Sequence, residues 1–178
     1  MKTNNIHEEI KMLKQLLALS ALSAVFATNA FAAEVPITGN VASKCVITTD
    51  TPGVFGNPTT DRLSTQPSDG GVSPIVRYDI IESSAYKGII TFPIDFTTSP
   101  VLNDIVNWTG DAELVEMSDT TMSAFETGKV QYENVTEFDL TVAGSAWFKV
   151  TSIADYGYGK SFPGGTYRAA VMAECIAQ

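Results

Sequence analysis

The sequence predicts an all-β, antiparallel sandwich, on three observations. Apolar residues recur at every second position in several short runs, Gly- and Pro-rich turn signals separate those runs at strand-like spacing, and helical spacing is scarce. A period of two puts alternate side chains on opposite faces of a strand, so each run offers one face to a shared core.

The elements follow in order. Residues 35–47 and 75–81 read as the first two strands. Ile90, Phe92, Ile94 and Phe96 then alternate with Thr91, Pro93 and Asp95, and Val130 with Tyr132 marks another strand. Phe138, Leu140 and Val142 alternate with Glu137, Asp139 and Thr141; Ala146, Phe148 and Val150 enclose Trp147 and Lys149. The last run sets Tyr167, Ala169, Val171, Ala173 and Cys175 on one face against Arg168, Ala170, Met172 and Glu174. Cys175 therefore points with the inward face. One helical turn is expected, at residues 102–106 or 121–125. Turn signals include Pro52-Gly53, Gly56-Asn57-Pro58, Ser68-Asp69-Gly70-Gly71, Thr109-Gly110-Asp111 and Phe162-Pro163-Gly164-Gly165, and residues 50–72 form the longest loop-like stretch. About seven short strands at this spacing predict an immunoglobulin-like antiparallel β-sandwich.

The N-terminus reads as an export signal. Lys14 supplies a positive start, residues 16–26 are apolar, and Ala30-Phe31-Ala32 is an A-x-A cleavage triplet. Residues 1–32 are thus expected to be a signal peptide, and residues 33–178 a single β-sandwich domain beginning at Ala33. The leading segment carries His7, Glu8 and Glu9, acidic for a signal, which makes Met12 a second candidate start. The apolar run is shorter than the ~20 residues that cross a bilayer, so no membrane insertion is expected.

Cleavage decides which chemistries remain. His7 is the only histidine in the chain and leaves with the signal, which excludes Ser-His-Asp and Cys-His catalysis and histidine-based zinc sites from the exported domain. The formal charge is −9, and the signal removes three lysines but only two glutamates. A surface this acidic repels nucleic acid, so no nucleic-acid partner is expected.

Cys45 and Cys175 are the only cysteines, and they bracket nearly the whole exported domain. An exported chain with one such pair is expected to oxidise it. In the chain-entropy account a loop this long is worth about 5 kcal/mol.

Little else points to chemistry. The carboxylate pairs Asp111/Glu113 and Glu137/Asp139 fit solvated strand faces, and Asp104, Asp111 and Asp119 lack a calcium-loop pattern, so no catalytic residue, metal or cofactor is expected. Tyr156, Tyr158 and Phe162 lie on the glycine-rich stretch Tyr156-Gly157-Tyr158-Gly159-Lys160-Ser161-Phe162. They form a candidate binding loop whose rings would stack on a sugar or a protein, or else plug one end of the sandwich. Trp108 and Trp147 carry the same two readings.

The ending Phe162-Pro163-Gly164-Gly165-Thr166-Tyr167-Arg168-Ala169-Ala170-Val171-Met172-Ala173 resembles the G-x-Y-x-A-x-V final strand of chaperone–usher fimbrial subunits. The opening Ile37-Thr38-Gly39-Asn40-Val41-Ala42-Ser43-Lys44-Cys45-Val46-Ile47 is similar to the start of archaic pilins and their spore-coat-U-like relatives. The resemblance implies a pilin-like sandwich lacking its last strand, polymerising as a fimbria or pilus by β-strand addition. It implies a periplasmic chaperone, an outer-membrane usher and copies of the chain itself as partners, and a place on the cell surface in adhesion or biofilm. Residues 33–42 would be the donor segment, with Val35, Ile37 and Val41 as its plugs. Cys45 would tie the first strand to the last, whereas the disulfide of classical pilins closes a shorter loop. That difference supports a rival expectation: a complete, self-contained secreted module that binds a glycan or matrix through its loops.

Overall fold

The computed structural model describes residues 44–81 and 85–178, and over them the chain is an all-β sandwich of two antiparallel sheets. Ten strands form it: β1 (Cys45–Thr51), β2 (Gly56–Thr59), β3 (Arg62–Ser64), β4 (Ile75–Ile80), β5 (Tyr86–Thr91), β6 (Asn107–Met117), β7 (Val130–Tyr132), β8 (Val135–Leu140), β9 (Gly144–Asp155) and β10 (Met172–Ala177).

The first sheet is organised by β9. One edge of β9 pairs with β4, from Ile80↔Gly144 to Ile75↔Lys149, and then with β3, from Ser64↔Ile153 to Arg62↔Asp155. Its other edge runs beside β6 from Met117↔Ala146 to Asn107↔Asp155. Beyond these, β1 pairs with β4 and β2 with β3. The second sheet runs β10-β5-β8-β7.

Alternation does what the sequence predicts along β4, β8 and β9. Val76, Tyr78 and Ile80 of β4 and Ala146, Phe148 and Val150 of β9 lie side by side on the inner face of the first sheet and share one core with Ile90, Phe138 and Leu140 of the second, together with Phe92, Met122 and Phe125. The Phe138 and Phe148 rings lie 4.3 Å apart, and Tyr78 meets Phe148 edge-on at 5.5 Å. The Tyr78 hydroxyl sits 3.0 Å from the Ile89 carbonyl oxygen and 3.2 Å from that of Glu174, so a side chain of the first sheet donates to the backbone of the second. Burial pushes the Tyr78 phenol far up from its ordinary pKa.

Several expectations are corrected. The run from Ile90 to Phe96 is not one strand: β5 begins earlier and ends at Thr91, because Pro93 cannot donate to a ladder, and Ile94 is exposed. Thr109-Gly110-Asp111 is not a turn but the middle of β6. A Cβ on Gly110 would meet the Thr151 carbonyl oxygen at 2.5 Å and the Phe92 ring at 2.7 Å, so the glycine marks close packing. The stretch 50–72 contains β2 and β3 and a short 3-10 turn, Pro67–Asp69. The helical turn lies at the second expected place, where the 3-10 turn Thr120–Ser123 leads into α1 (Ala124–Thr127). The Asp119 side chain accepts the Thr121 N–H at its start. Regular pairing of the last strand begins only at Met172, although Val171, Ala173 and Cys175 pack on the core as the alternation predicts.

Candidate functional site: an open flank between the first and last strands

Where β1 and β10 end up defines the site. β1 is the terminal strand of the first sheet and β10 the terminal strand of the second. Among the described residues each is paired along one edge only, β1 with β4 and β10 with β5. Both lie on the same flank of the sandwich, and the Cys45–Cys175 disulfide joins them with a Cα–Cα separation of 6.3 Å. The sheets are thus stapled at one end of the flank, near the Ile80 and Gly88 positions opposite each cysteine.

Away from the staple the flank opens. A cleft of about 200 Å³ lies between Thr49 and Pro52 on the β1 side and Ala169 and Val171 leading into β10, with Val76 and Ser152 among its lining residues. A shallower groove of about 700 Å³ continues from it past Phe55, Phe162, Tyr167 and Arg168, sharing Gly53, Phe55 and Ala169 with the first. Ile47, Val171, Ala173 and the cystine are only partly buried although they pack against the core. Together these features make a trough of mixed apolar and polar lining, bordered by β1 on one side and by the segment that leads into β10 on the other.

Part of the trough's polar lining is hydrogen-bonded within the domain. The Thr65 hydroxyl donates to the Ser152 carbonyl oxygen at 3.3 Å and accepts the Ser152 N–H at 2.9 Å, and the Ser73 hydroxyl donates to the Thr65 carbonyl oxygen at 3.0 Å. Ser152 itself is 2 % exposed, and its Oγ has no hydrogen-bond partner among the described residues.

Aromatic rings close the end of the sandwich away from the disulfide. Phe96 packs against Trp108 at 4.7 Å, Tyr167 at 5.1 Å and Phe162 at 6.0 Å. Tyr156 stacks on Phe162 at 5.1 Å with 17° between the rings, and its hydroxyl accepts the Asn103 N–H. Of the three candidate loop residues, Tyr156 is buried, Phe162 is half-buried, and only Tyr158, flanked by Gly157 and Gly159 at positive φ, is fully exposed. Lys160 ties this loop to Asp104; its ammonium and the Ile105 N–H hold the Asp104 carboxyl below the usual carboxylate range. Trp147 lies on the outer sheet face, half-buried under the Arg77 guanidinium at 4.9 Å, with its indole N–H directed at Asp50.

Asp104, Asp111 and Asp119 do not converge. Asp104 pairs with Lys160, Asp111 with Lys129, and Asp119 caps Thr121. Val35, Ile37 and Val41 lie outside the described residues.

Sequence reasoning missed the trough. Its signal was present in two places: Ser152 keeps the inward phase of Phe148, Val150 and Ala154, and the final run keeps its inward face at Ala169 and Val171, where regular pairing has not begun. No protein-family model matches the chain, and no curated protein or solved structure matches it.

Proposed function

We propose that this protein is an exported structural subunit that polymerises by β-strand addition into a fimbria or similar surface assembly. The observation that carries the reading is the stapled, open flank: two terminal strands, each paired along one edge only, are joined by the disulfide, and a largely apolar cleft lies between β1 and the segment that leads into β10. An extended segment placed there would hydrogen-bond to a strand edge through its main chain and fill the trough with alternate side chains. The occupant is the segment 33–42 of a neighbouring copy, whose Val35, Ile37 and Val41 share one face of a strand. An apolar flank with open edges is an aggregation hazard until filled, which calls for a periplasmic chaperone before assembly and an usher at the outer membrane. The export signal and the disulfide agree with passage through an oxidising compartment.

Ala169 lines both parts of the trough, just before β10, so Ala169→Trp obstructs the site while leaving the paired strands intact. The expected result is a folded variant with the wild-type far-ultraviolet spectrum that no longer joins oligomers. Undiminished oligomers would count against the trough as the junction.

A second reading has one observation in its favour. Tyr158, Val101 and Ile105 are strongly exposed on loops joined by the Lys160–Asp104 pair. In a self-contained module these side chains would meet a glycan or matrix partner, and binding would be lost in Tyr158→Ala without any change in oligomeric state.

A further inference from the structure

We infer that Glu126, Lys129 and Gln131 close the flank opposite the cystine to strand addition, so that a neighbouring copy adds at the stapled flank alone. The inference rests on the strand-addition reading for its role in assembly, and it names the residues that make assembly one-sided.

The sandwich has a second pair of terminal strands. Among the described residues β6 pairs with β9 alone and β7 with β8 alone, so each presents a free edge on the side away from β1 and β10. The register shows which groups of β6 lie on that edge. Gly110 stands opposite Ser152 and Ala112 opposite Val150, and the Ser152 and Val150 N–H groups are spent on the other side of β9, on the Thr65 hydroxyl and the Pro74 carbonyl oxygen. Gly110, Ala112 and, two residues on, Leu114 therefore turn their own N–H and carbonyl groups outward. Such a row recruits another strand unless something covers it.

Side chains from the segment that runs from α1 into β7 occupy it. The Gln131 amide donates to the Gly110 carbonyl oxygen at 3.2 Å and the Lys129 ammonium to that of Ala112 at 3.0 Å, while the Leu114 N–H donates to the Glu126 carboxylate at 2.8 Å. Lys129 also pairs with the other Glu126 oxygen at 2.6 Å and with Asp111 at 3.4 Å, which holds both side chains against the edge. An added strand would lie about 4.8 Å from β6, in the space that these side chains cross. It would have to replace their three hydrogen bonds and take an ammonium and a carboxylate out of water. On β1, by contrast, the side-chain hydrogen bonds from Thr51 and Trp147 both end on the Asp50 carboxylate, and neither reaches the main chain.

The test is the triple variant Glu126→Ala/Lys129→Ala/Gln131→Ala, made in the full chain and again together with Ile37→Asp, which blocks addition at the stapled flank. Light scattering reads association, and amide hydrogen exchange locates it. With Ile37→Asp, the triple variant is expected to associate at concentrations where Ile37→Asp alone stays monomeric, with protection gained at Gly110, Ala112 and Leu114. Before association the Leu114 amide, having lost its acceptor, is expected to exchange about tenfold faster. Lys129→Met keeps the length of the side chain without its charge or donors; it is expected to associate in the same way, and it decides the question if the triple variant does not fold. A folded variant that stays monomeric, or that associates with protection gained elsewhere, would overturn the guard while leaving strand addition intact. A wild type that forms no oligomers would overturn the strand-addition reading and the role in assembly with it, and the guard itself would then stand or fall on whether the triple variant of the wild-type chain associates through β6.

Discussion

Cys45 and Cys175 lie in different sheets and bond at a Cα–Cα separation of 6.3 Å, so the first and last strands of the sandwich are joined although they share no ladder. The link spans 130 residues of sequence and holds together two strands that, among the described residues, are each paired in a ladder along one edge only. It keeps the flank assembled at one end while the trough stays open at the other.

The first prediction concerns that staple. Replacing both cysteines by alanine should lower stability by about 2–5 kcal/mol, the usual range for a native disulfide in an exported domain. Thermal melting with and without reductant measures it. Hydrogen exchange should rise first in β1 and β10, and equal protection of these strands in both forms would show that the sheets need no staple.

The aromatic end divides into structural and free residues. Tyr156 is buried and stacked, so Tyr156→Ala should cost about 3 kcal/mol in denaturant unfolding. Tyr158→Ala should cost less than about 0.5 kcal/mol, because that ring is fully exposed. A large loss at Tyr158 would mean that the loop packs on something beyond the described contacts.

A third prediction tests Gly110. Valine there must displace the Thr151 carbonyl or the Phe92 ring and should destabilise the sandwich by about 1–3 kcal/mol, the range for overpacking. A denaturant midpoint equal to that of wild type would contradict the close approach of β6 to β9.

The Asp104–Lys160 tie should respond to acid. The Asp104 pKa is depressed in the folded protein, mainly by the hydrogen bond from Lys160, so its contribution is present above the unfolded carboxylate pKa and is lost as pH falls through the lower folded one. Backbone NMR signals of Lys160 and Ile105 should therefore shift below about pH 4, the ordinary carboxylate range. In Asp104→Asn those shifts should be absent; shifts that persist would assign the effect to another group.

Legibility followed local physics. β4, β8 and β9 could be read from alternation because each buries one face and wets the other, and the disulfide from the cysteine count in an exported chain. β6 was hidden because Gly110 between Thr109 and Asp111 has the chemistry of a turn, while its reason for being glycine is a neighbour 41 positions away in the sequence, Thr151. β2 and β3 are short, and Gly56 in β2 lies against the backbone of Asp69, a contact that no local pattern announces. The trough was the least legible feature. Alternation says which side of a strand is apolar but not which sheet the strand joins, and the open flank exists only because β1 and β10 join different ones.

The oligomeric state of the exported wild type beside Ile37→Asp tests the central claim most directly, by size-exclusion chromatography with light scattering and a melting curve on each. If segment 33–42 fills a neighbour's trough, the wild type forms a ladder of oligomers that survives mild detergent. Ile37→Asp, which would bury an unpaired charge at every junction at a cost of several kcal/mol, should then be a monomer that melts as a folded domain. A monomeric wild type together with a destabilised Ile37→Asp would contradict the account, because the segment would then be completing its own sandwich.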